Sequence, residues 1–144
     1  VIVDPDNRPA SSSLIGTVQD AIDPEPHAKG YGLAPVGHYV TISTVSELTI
    51  NIEISVALRA GVEISGIQSS VEAAITEYLN SLAFKDNVVR TARIEAAVLG
   101  VDGIADISST LLNGSPDNIT LSSAFDNYQV PVAGSVTLTE DTDV

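Results

Sequence analysis

The sequence of 144 residues contains no cysteine, no methionine and no tryptophan, and only 4% of its residues are aromatic. The absence of cysteine excludes disulfide bonds, thiolate zinc sites and thiol nucleophiles, and it is compatible with a reducing compartment. Because aromatic side chains are scarce, the core has to be built from Ile, Val, Leu and Ala. Since no initiator methionine is present, we expect the chain to be a fragment of a longer protein or a processed product.

Basic residues are also few, with 6 Lys and Arg against 19 Asp and Glu, which gives a net charge of −13. Charge repulsion therefore argues against DNA, RNA and anionic membranes as partners, while a basic protein partner stays possible. No apolar stretch approaches the ~20 residues that span a bilayer, and no secretory signal pattern opens the chain. Hydrophobic residues make up 44% of the sequence, which is enough for a packed core.

The first part of the sequence, 1–46, predicts a small β-α-β subdomain. Residues 1–3 form a short apolar strand candidate, and serines 11–13 offer N-cap oxygens for a helix. The apolar residues of this helix follow at helical spacing: Leu14, Ile15, Val18 and Ile22. The prolines at 24 and 26 end the helix, and a second strand is predicted at 39–45.

The second part, 47–144, predicts a β-α-α-β-β-β subdomain, with the boundary near Ser46. Apolar and polar residues alternate over 48–58, which indicates one long strand with one buried face. Two helices are predicted at 67–82, after a capping box of Ser65 and Gln68, and at 87–99. Further strands are predicted at 104–112, 119–121 and 136–139, with a tight turn at Asn113-Gly114. The fold class is therefore α+β, a two-helix layer on a mainly antiparallel sheet.

The helix predicted at 87–99 has an apolar side and a more polar side. Arg90 and Arg93 lie together on the polar side. The apolar side comprises Val88, Val89, Ala92, Ala96 and Leu99.

Three glycines occur between positions 30 and 37, directly before an apolar run, and this raises the question of a phosphate-binding loop. The dinucleotide fingerprint fails because Pro35 stands at the third glycine position and the segment leads into a strand rather than a helix. A P-loop fails because Gly37 is followed by His38 and Tyr39. The glycines are better interpreted as allowing positive φ or close backbone approach.

No motif for metal binding or catalysis is complete. His27 and His38 are the only histidines, and they lack the spacing of a local zinc-ligand pair. A calcium loop beginning at Asp4 fails because Arg8 and Pro9 occupy ligand and glycine positions. The sequence contains no nucleophile elbow. A pair of catalytic carboxylates for glycoside hydrolysis is not excluded, because the sequence has many acidic residues. We predict no catalytic residues, no cofactor and no metal site.

Several short motifs follow one another in order over nearly the whole chain. They are GLAPVG at 32–37, LTINI at 48–52, an amphipathic helix at 71–82, VVRTARI at 88–94, VDGIAD at 101–106, NG at 113–114, NITL at 118–121 and VPVAGSV at 130–136. In this order the motifs resemble the C-terminal half of the baseplate J-like proteins of contractile phage tails and tail-like particles. The resemblance implies a structural role in the baseplate wedge around the central hub, without catalytic residues.

The resemblance implies contacts with other wedge and hub proteins and with copies of the same chain, in a virion tail or phage-like particle assembled in the bacterial cytoplasm. We expect the exposed faces of the 48–58 strand and the 87–99 helix to be assembly surfaces, with Glu53, Arg59, Arg90 and Arg93 as candidate residues. The alternative is a ligand- or carbohydrate-binding module of a tail or surface protein. A hydrolase is a third hypothesis.

Overall fold

The computed structural model describes residues 1–142, which contain both α-helices and β-strands. The elements in chain order are α1 (Ser12–Ile22), β1 (Ser46–Leu58), α2 (Ile64–Ser81), β2 (Val88–Val89), α3 (Thr91–Leu99), β3 (Ile104–Leu112), β4 (Ile119–Thr120), β5 (Ser123–Ala124) and β6 (Asn127–Glu140). The predicted α+β class is confirmed.

The chain divides into two compact units, and each is described by itself. Unit 1 comprises Val1–Glu47 and Ser122–Gln129. Unit 2 comprises Leu48–Leu121 and the described residues from Val130 onward. A short stretch from the C-terminal part of the sequence, which contains β5 and the start of β6, therefore belongs to the same unit as the N-terminal residues.

Unit 1 contains the predicted helix. The Oγ of Ser11 accepts a hydrogen bond from the backbone N–H of Leu14 at 3.2 Å, so the predicted N-cap at the serines is confirmed. The two strands predicted at 1–3 and 39–45 are reduced to isolated bridges, of which Ile2 with Thr44 is parallel. The reason is that the backbone at 40–42 is hydrogen-bonded to side chains of α1 and its C-cap instead of to a neighbouring strand.

The sheet of unit 2 has the strand order β3-β1-β6. β3 is antiparallel to β1, with Ile52 opposite Leu112 and Leu58 opposite Ile104. Two hydrogen bonds show that β6 runs parallel to β1. Asn51 Oδ1 accepts from Ser135 N, and further along both segments Val56 O accepts from Asp141 N. The other named strand pairs, β2 with β4 and β5 with β6, are antiparallel.

The core of unit 2 lies between one face of the sheet and the two helices. The alternation predicted for β1 is confirmed, since its apolar residues from Ile50 to Val56 are buried while Thr49 and Glu53 are exposed. The predicted stripe of α2 is confirmed as well. The fully or largely buried helix residues are Ile67, Val71, Ile75 and Leu79 of α2 and Ile94 and Val98 of α3.

The helix predicted at 87–99 is wrong at its start and on its buried side. Val88 and Val89 form β2, which pairs with β4, and α3 begins at Thr91. Ile94 and Val98 point into the core, whereas the predicted apolar side of Ala92, Ala96 and Leu99 is exposed. With both valines in β2, the side of the helix that carries Ile94 and Val98 packs on the core instead of the predicted side.

The capping box predicted for α2 is also wrong. The N-cap of α2 is Glu63, and among the described residues no side chain makes a capping hydrogen bond at this end. Gln68 donates from Nε2 to the backbone oxygen of Val136 at 2.8 Å, and also to Glu72. A tertiary contact to β6 therefore replaces the local cap.

The tight turn predicted between β3 and the following segment is confirmed. Asn113 and Gly114 both have positive φ, at 50° and 80°, and the backbones of Leu112 and Ser115 exchange hydrogen bonds of 2.7 and 3.0 Å. Positive φ at both central residues defines the turn that fits the twist of paired strands, and Asn-Gly is its preferred sequence.

Candidate functional site

The glycine segment forms an ordered loop that covers the C-terminal end of α1. Leu33 N donates to Ala21 O at 3.1 Å, and Ala34 N donates to Ile22 O at 2.8 Å, so the loop satisfies carbonyls that a helix end leaves unpaired. A Cβ added to Gly32 would lie 2.5 Å from Ile22 O, a distance too short for any side chain. Gly37 has a φ of +85°. The interpretation of these glycines as backbone geometry is confirmed.

Two side chains at the end of α1 hold both ends of this loop. The carboxylate of Asp23 accepts from the backbone N–H groups of Ala28, at 2.8 Å, and Val40, at 3.0 Å. The Gln19 amide donates to Val40 O at 2.8 Å and accepts from Ile42 N at 2.9 Å. We call Gln19 and Asp23 the loop clamp. The loop clamp was not predicted from the sequence, although a Gln and an Asp four residues apart at a helix end are the available signal.

Asp23 is 2% exposed and keeps its charge despite its burial. The hydrogen bond from Val40 N lowers the pKa of this carboxyl, and the bond from Ala28 N and the neighbouring His27 act in the same direction, while desolvation opposes them. The ionised carboxylate is the form that accepts both backbone N–H groups. The clamp is therefore tied to the charge of one buried side chain.

The two histidines are not arranged as metal ligands. His27 Nδ1 lies 2.7 Å from Asp23 O, its Nε2 lies 2.8 Å from Glu25 Oε1, and its ring packs edge-on against Tyr39. His38 is exposed. Within residues 1–142, no group of three or more His, Cys, Asp or Glu side chains is placed to hold a metal ion.

Near the N-terminus, Asp4 has a structural role in a turn. Its Oδ1 accepts from the backbone N–H groups of Asp6, at 2.9 Å, and Arg8, at 2.8 Å. Short polar side chains stabilise turns in this way.

The loop exposes large apolar side chains. Leu33 is 82% exposed, Tyr31 74%, Val36 73% and Tyr39 68%. This exposed surface was not predicted from the sequence, because Tyr39 falls in the strand predicted at 39–45 and the glycines were interpreted as backbone geometry alone. Concentrations of exposed apolar side chains on a soluble protein mark interaction sites.

The predicted assembly residues of unit 2 lie on two separate surfaces. Glu53 is exposed on β1, opposite Leu111 of β3 and on the face of the sheet away from the buried isoleucines. Arg59 is exposed just after β1, and its backbone N–H donates to Gly103 O at 2.9 Å. Both arginines of the α3 segment lie on the helix side of the sheet. The structure therefore does not bring the four residues together.

Arg90 and Arg93 are close to each other at the start of α3. Arg90 is the N-cap residue, and its guanidinium pairs with the Asp86 carboxylate. This hydrogen bond lowers the pKa of Asp86 and raises that of Arg90. The backbone N–H of Arg93 donates to Arg90 O at 3.1 Å, and the Arg93 side chain is exposed. Arg93 is thus the more accessible of the two cations.

Residues from three separate motifs meet on the exposed face of the sheet around Asn51. Its side-chain Oδ1 accepts from Ser135 N at 3.1 Å, and its backbone N–H donates to the side chain of Asn113 at 2.8 Å. A Cβ on Gly134 would lie 2.2 Å from Asn51 Oδ1, so glycine permits this close approach of β6 to β1. The LTINI, NG and VPVAGSV motifs therefore share one structural junction.

None of the helices within residues 1–142 combines the length and the apolar character needed to cross a membrane.

Comparison with known proteins places this chain in a family. The family described as baseplate J-like protein C-terminal domain matches residues 50–139. The chain is 32% identical over 142 residues to the phage-like element PBSX protein XkdT of Bacillus subtilis strain 168, and 30% identical over 142 residues to the uncharacterized protein YqbT of the same strain. Each alignment covers 99% of this chain and 39% of the relative, so the chain spans about two fifths of the length of these relatives. The chain belongs to the baseplate J-like protein family, through its C-terminal domain.

Proposed function

We propose that the chain is a structural module of the baseplate wedge in a contractile phage tail or a prophage-derived tail-like particle. The observation that carries the proposal is the family match over 50–139, which covers most of unit 2. The module acts through protein–protein contacts and has no catalytic role. We retain the division into a subdomain of 1–46 and one of 47–144 as a prediction.

The architecture of unit 2 supports a scaffold role. Its buried core is made of aliphatic side chains from β1, β3 and both helices, and such close-packed interiors transmit strain rather than absorb it. β1 has a neighbour on each side, β3 and β6, so its backbone is held within the sheet. A rigid element of this kind suits a part that relays force or position between neighbours in a particle.

The proposed partners are other wedge and hub proteins and further copies of this chain. Two assembly surfaces are proposed, one around Glu53 and Arg59 on the exposed face and end of β1, and one around Arg90 and Arg93 at the start of α3. Charged residues at such surfaces steer association and fix its orientation more than they raise its affinity. The proposed location is the virion tail or phage-like particle, with assembly in the bacterial host cytoplasm.

The helix surface is tested by reversing its charge in the full-length protein within its particle. The variant Arg93→Glu removes the exposed cation and leaves the ion pair of Arg90 with Asp86 intact. We expect Arg93→Glu, and more strongly Arg90→Glu with Arg93→Glu, to reduce the number of complete baseplates counted by electron microscopy. The variant Lys85→Glu makes the same charge change at another exposed position and serves as the control.

The β1 surface is tested in the same assay with Arg59→Glu. Circular dichroism checks that each variant protein is folded. If Arg93→Glu, the double arginine variant and Arg59→Glu all give normal baseplates, neither surface takes part in assembly. A chain that is absent from purified particles altogether would contradict the structural role itself.

A further inference from the structure

The outer side of β6 is a long sheet edge that is mostly unpaired. β5 pairs with β6 only at Asn127 and Tyr128, near the start of the strand. Among residues 1–142, no other named strand lies on that side of β6. An unpaired edge presents a row of backbone N–H and C=O groups with which another strand can pair. We define the β6 edge as residues 136–140.

Two hydrogen bonds show which backbone groups of the β6 edge point outward. Asp141 N donates to Val56 O of β1, so the backbone groups of residue 141 face β1. Because these groups alternate sides along a strand, those of Val136 and Leu138 point away from β1. Gln68 Nε2 donates to the oxygen of Val136 at 2.8 Å from outside the sheet, which agrees with this alternation. The backbone of Leu138 has no strand partner on its outward side within residues 1–142.

The β6 edge lacks the features that keep sheet edges from pairing. Natural proteins protect such edges with charged side chains, proline or bulges. None of residues 127–139 is charged, and Pro131 lies before the β6 edge. By contrast, β3 at the other side of the sheet carries Asp106, has two register shifts in its pairing with β1, and is met by Ser115 at its last residue. The β6 edge is therefore the better site for a further strand.

The side chains of the β6 edge are those of a strand that lacks a neighbour. Val136 and Leu138 pack against the core but are only partly buried, whereas Ile52 of β1, which has a strand on each side, is 0% exposed. On the other face of the sheet, Thr137 and Thr139 are exposed. A strand added beside β6 would cover Val136 and Leu138, and apolar and Thr–Thr pairs across strands are stabilising.

The β6 edge is complementary to itself. Antiparallel pairing centred on Thr137 of both copies places Val136 opposite Leu138 of the other copy, twice, and Thr137 opposite Thr137. Glu140 lies opposite Gly134, and the two Glu140 residues are six positions apart along the strands, ~20 Å. This separation exceeds the Debye length of ~8 Å at physiological salt. Few other contacts between two chains of net charge −13 would keep acids apart in this way.

We propose that the β6 edge of one copy pairs with the β6 edge of a second copy, antiparallel and centred on Thr137, so that the two sheets become one. The same surface is used by both copies, so the contact is two-fold symmetric and closes as a dimer. Backbone hydrogen bonds supply the affinity, as in other cases of strand addition. The inference rests on the proposed assembly role, for which it names one partner and one surface.

The first test uses single cysteines, since the chain has none of its own. The backbone of Thr137 faces β1, so the central pair is not hydrogen-bonded and its Cα atoms lie ~4.5 Å apart, within disulfide range. We expect mild oxidation to convert most of the Thr137→Cys chain into a covalent dimer on a non-reducing gel. Thr139→Cys should cross-link about tenfold more slowly, and Ser109→Cys, exposed on β3, should stay monomeric.

The second test is sedimentation of the purified chain over a wide range of concentrations. We expect the average mass to rise from 14.9 kDa toward twice that value. Thr137→Lys and Thr137→Glu should each weaken association about tenfold, because each places two like charges at the two-fold axis, and an equimolar mixture of the two should restore it. Thr137 is exposed, so the fold is retained. Ser109→Lys is the matched control and should have no effect.

One carboxylate lies close enough to the β6 edge to oppose pairing. Gln68 donates to both Glu72 and the oxygen of Val136, so the charge of Glu72 is beside the contact in both copies. Glu72→Gln removes this charge and should strengthen association about threefold.

A chain that stays monomeric up to about millimolar concentration, a mixture of Thr137→Lys and Thr137→Glu that restores nothing, or equal cross-linking at positions 137 and 109 would overturn the inference. Thr137→Lys in the full-length protein separates this failure from failure of the proposed function. If it blocks baseplate formation while the wild-type chain is monomeric, the β6 edge pairs with a strand of a different tail protein. That result overturns self-pairing and leaves the proposed function intact.

Discussion

Replacing Gly32 by alanine should destabilise unit 1 because the new methyl group meets backbone atoms. The added Cβ would lie 2.5 Å from Ile22 O, 2.7 Å from Ile22 C and 2.8 Å from Ala21 O. A clash with a side-chain tip could be relieved by rotation, but these atoms belong to the last turn of α1. The loop has to move away from the helix, and the movement stretches the hydrogen bonds that Leu33 and Ala34 donate to α1.

The magnitude follows from those two hydrogen bonds. Each backbone bond contributes a net ~0.5–1.5 kcal/mol, so their loss costs about 1–3 kcal/mol. Alanine also restricts the unfolded chain relative to glycine, which offsets this cost by about 0.4–1 kcal/mol. Taking the middle of each range, about 2 kcal/mol less about 0.7 kcal/mol, we expect Gly32→Ala to lower the free energy of unfolding of unit 1 by about 1 kcal/mol.

Two other glycines of unit 1 provide matched controls. Gly37 has open space around it but a φ of +85°, so Gly37→Ala should cost about 1–2 kcal/mol from left-handed backbone strain alone. Gly16 lies in α1, and apart from its chain neighbours and the helix's own backbone no atom of residues 1–142 lies within 4 Å of an added Cβ, so Gly16→Ala should stabilise unit 1 by about 0.5–1 kcal/mol. Glycine-to-alanine substitution should therefore lower the free energy of unfolding at Gly32 and Gly37 and raise it at Gly16, within the same unit.

Urea denaturation measures these changes, with tyrosine fluorescence as the signal for unit 1. Tyr31, Tyr39 and Tyr128 lie in unit 1, and Tyr78 lies in unit 2, so the tyrosine signal reports mainly on unit 1. Circular dichroism follows the whole chain, and separate transitions would show that the units unfold independently. A Gly32→Ala protein as stable as the wild type would refute the argument that close backbone approach requires this glycine.

Two further predictions concern buried polar groups. Thr110 lies on the core face of β3 opposite Ile54, is 6% exposed, and its hydroxyl has no hydrogen-bond partner among residues 1–142. Thr110→Val should raise the free energy of unfolding, measured by thermal denaturation, by about 1 kcal/mol, because it removes an unsatisfied polar atom at constant shape. Asp23→Asn should destabilise unit 1 at neutral pH, since an amide presents one acceptor oxygen to two N–H donors. The pKa of Asp23 is lowered in the folded state, so its stabilising effect is present above the unfolded-state pKa and is lost as the pH falls below about 4. The stability difference between wild type and Asp23→Asn, measured by urea denaturation, should therefore narrow on acidification, and a difference independent of pH would contradict this assignment.

Local patterns were sufficient for several elements of the fold. The alternation over 48–58 predicted β1, and the spacing of Ile67, Val71, Ile75 and Leu79 predicted the buried side of α2, because the geometry of one strand or one helix sets which residues share a face. The Asn113-Gly114 turn was predicted because both central positions require positive φ. The chain order of short motifs also indicated the family, which the comparison confirmed.

The candidate surfaces were less accessible to prediction. The exposure of Leu33 and its neighbours was missed, because local sequence does not show whether an apolar residue near glycines is packed against something. The loop clamp was missed because Gln19 and Asp23 act on backbone about twenty residues away. The role of Glu53, Arg59, Arg90 and Arg93 as assembly residues stays a prediction.

The sequence by itself determined the periodic elements, the acidic character of the chain and its family, since these depend on the order and type of residues alone. Only the tertiary structure decided that Val88 and Val89 form a strand, because their partner β4 is about thirty residues further along the chain. It also decided that residues 40–42 bond to side chains of α1 rather than to a strand. In both cases the backbone hydrogen bonds are made with distant groups, and the choice among such partners depends on the packed fold rather than on local propensity.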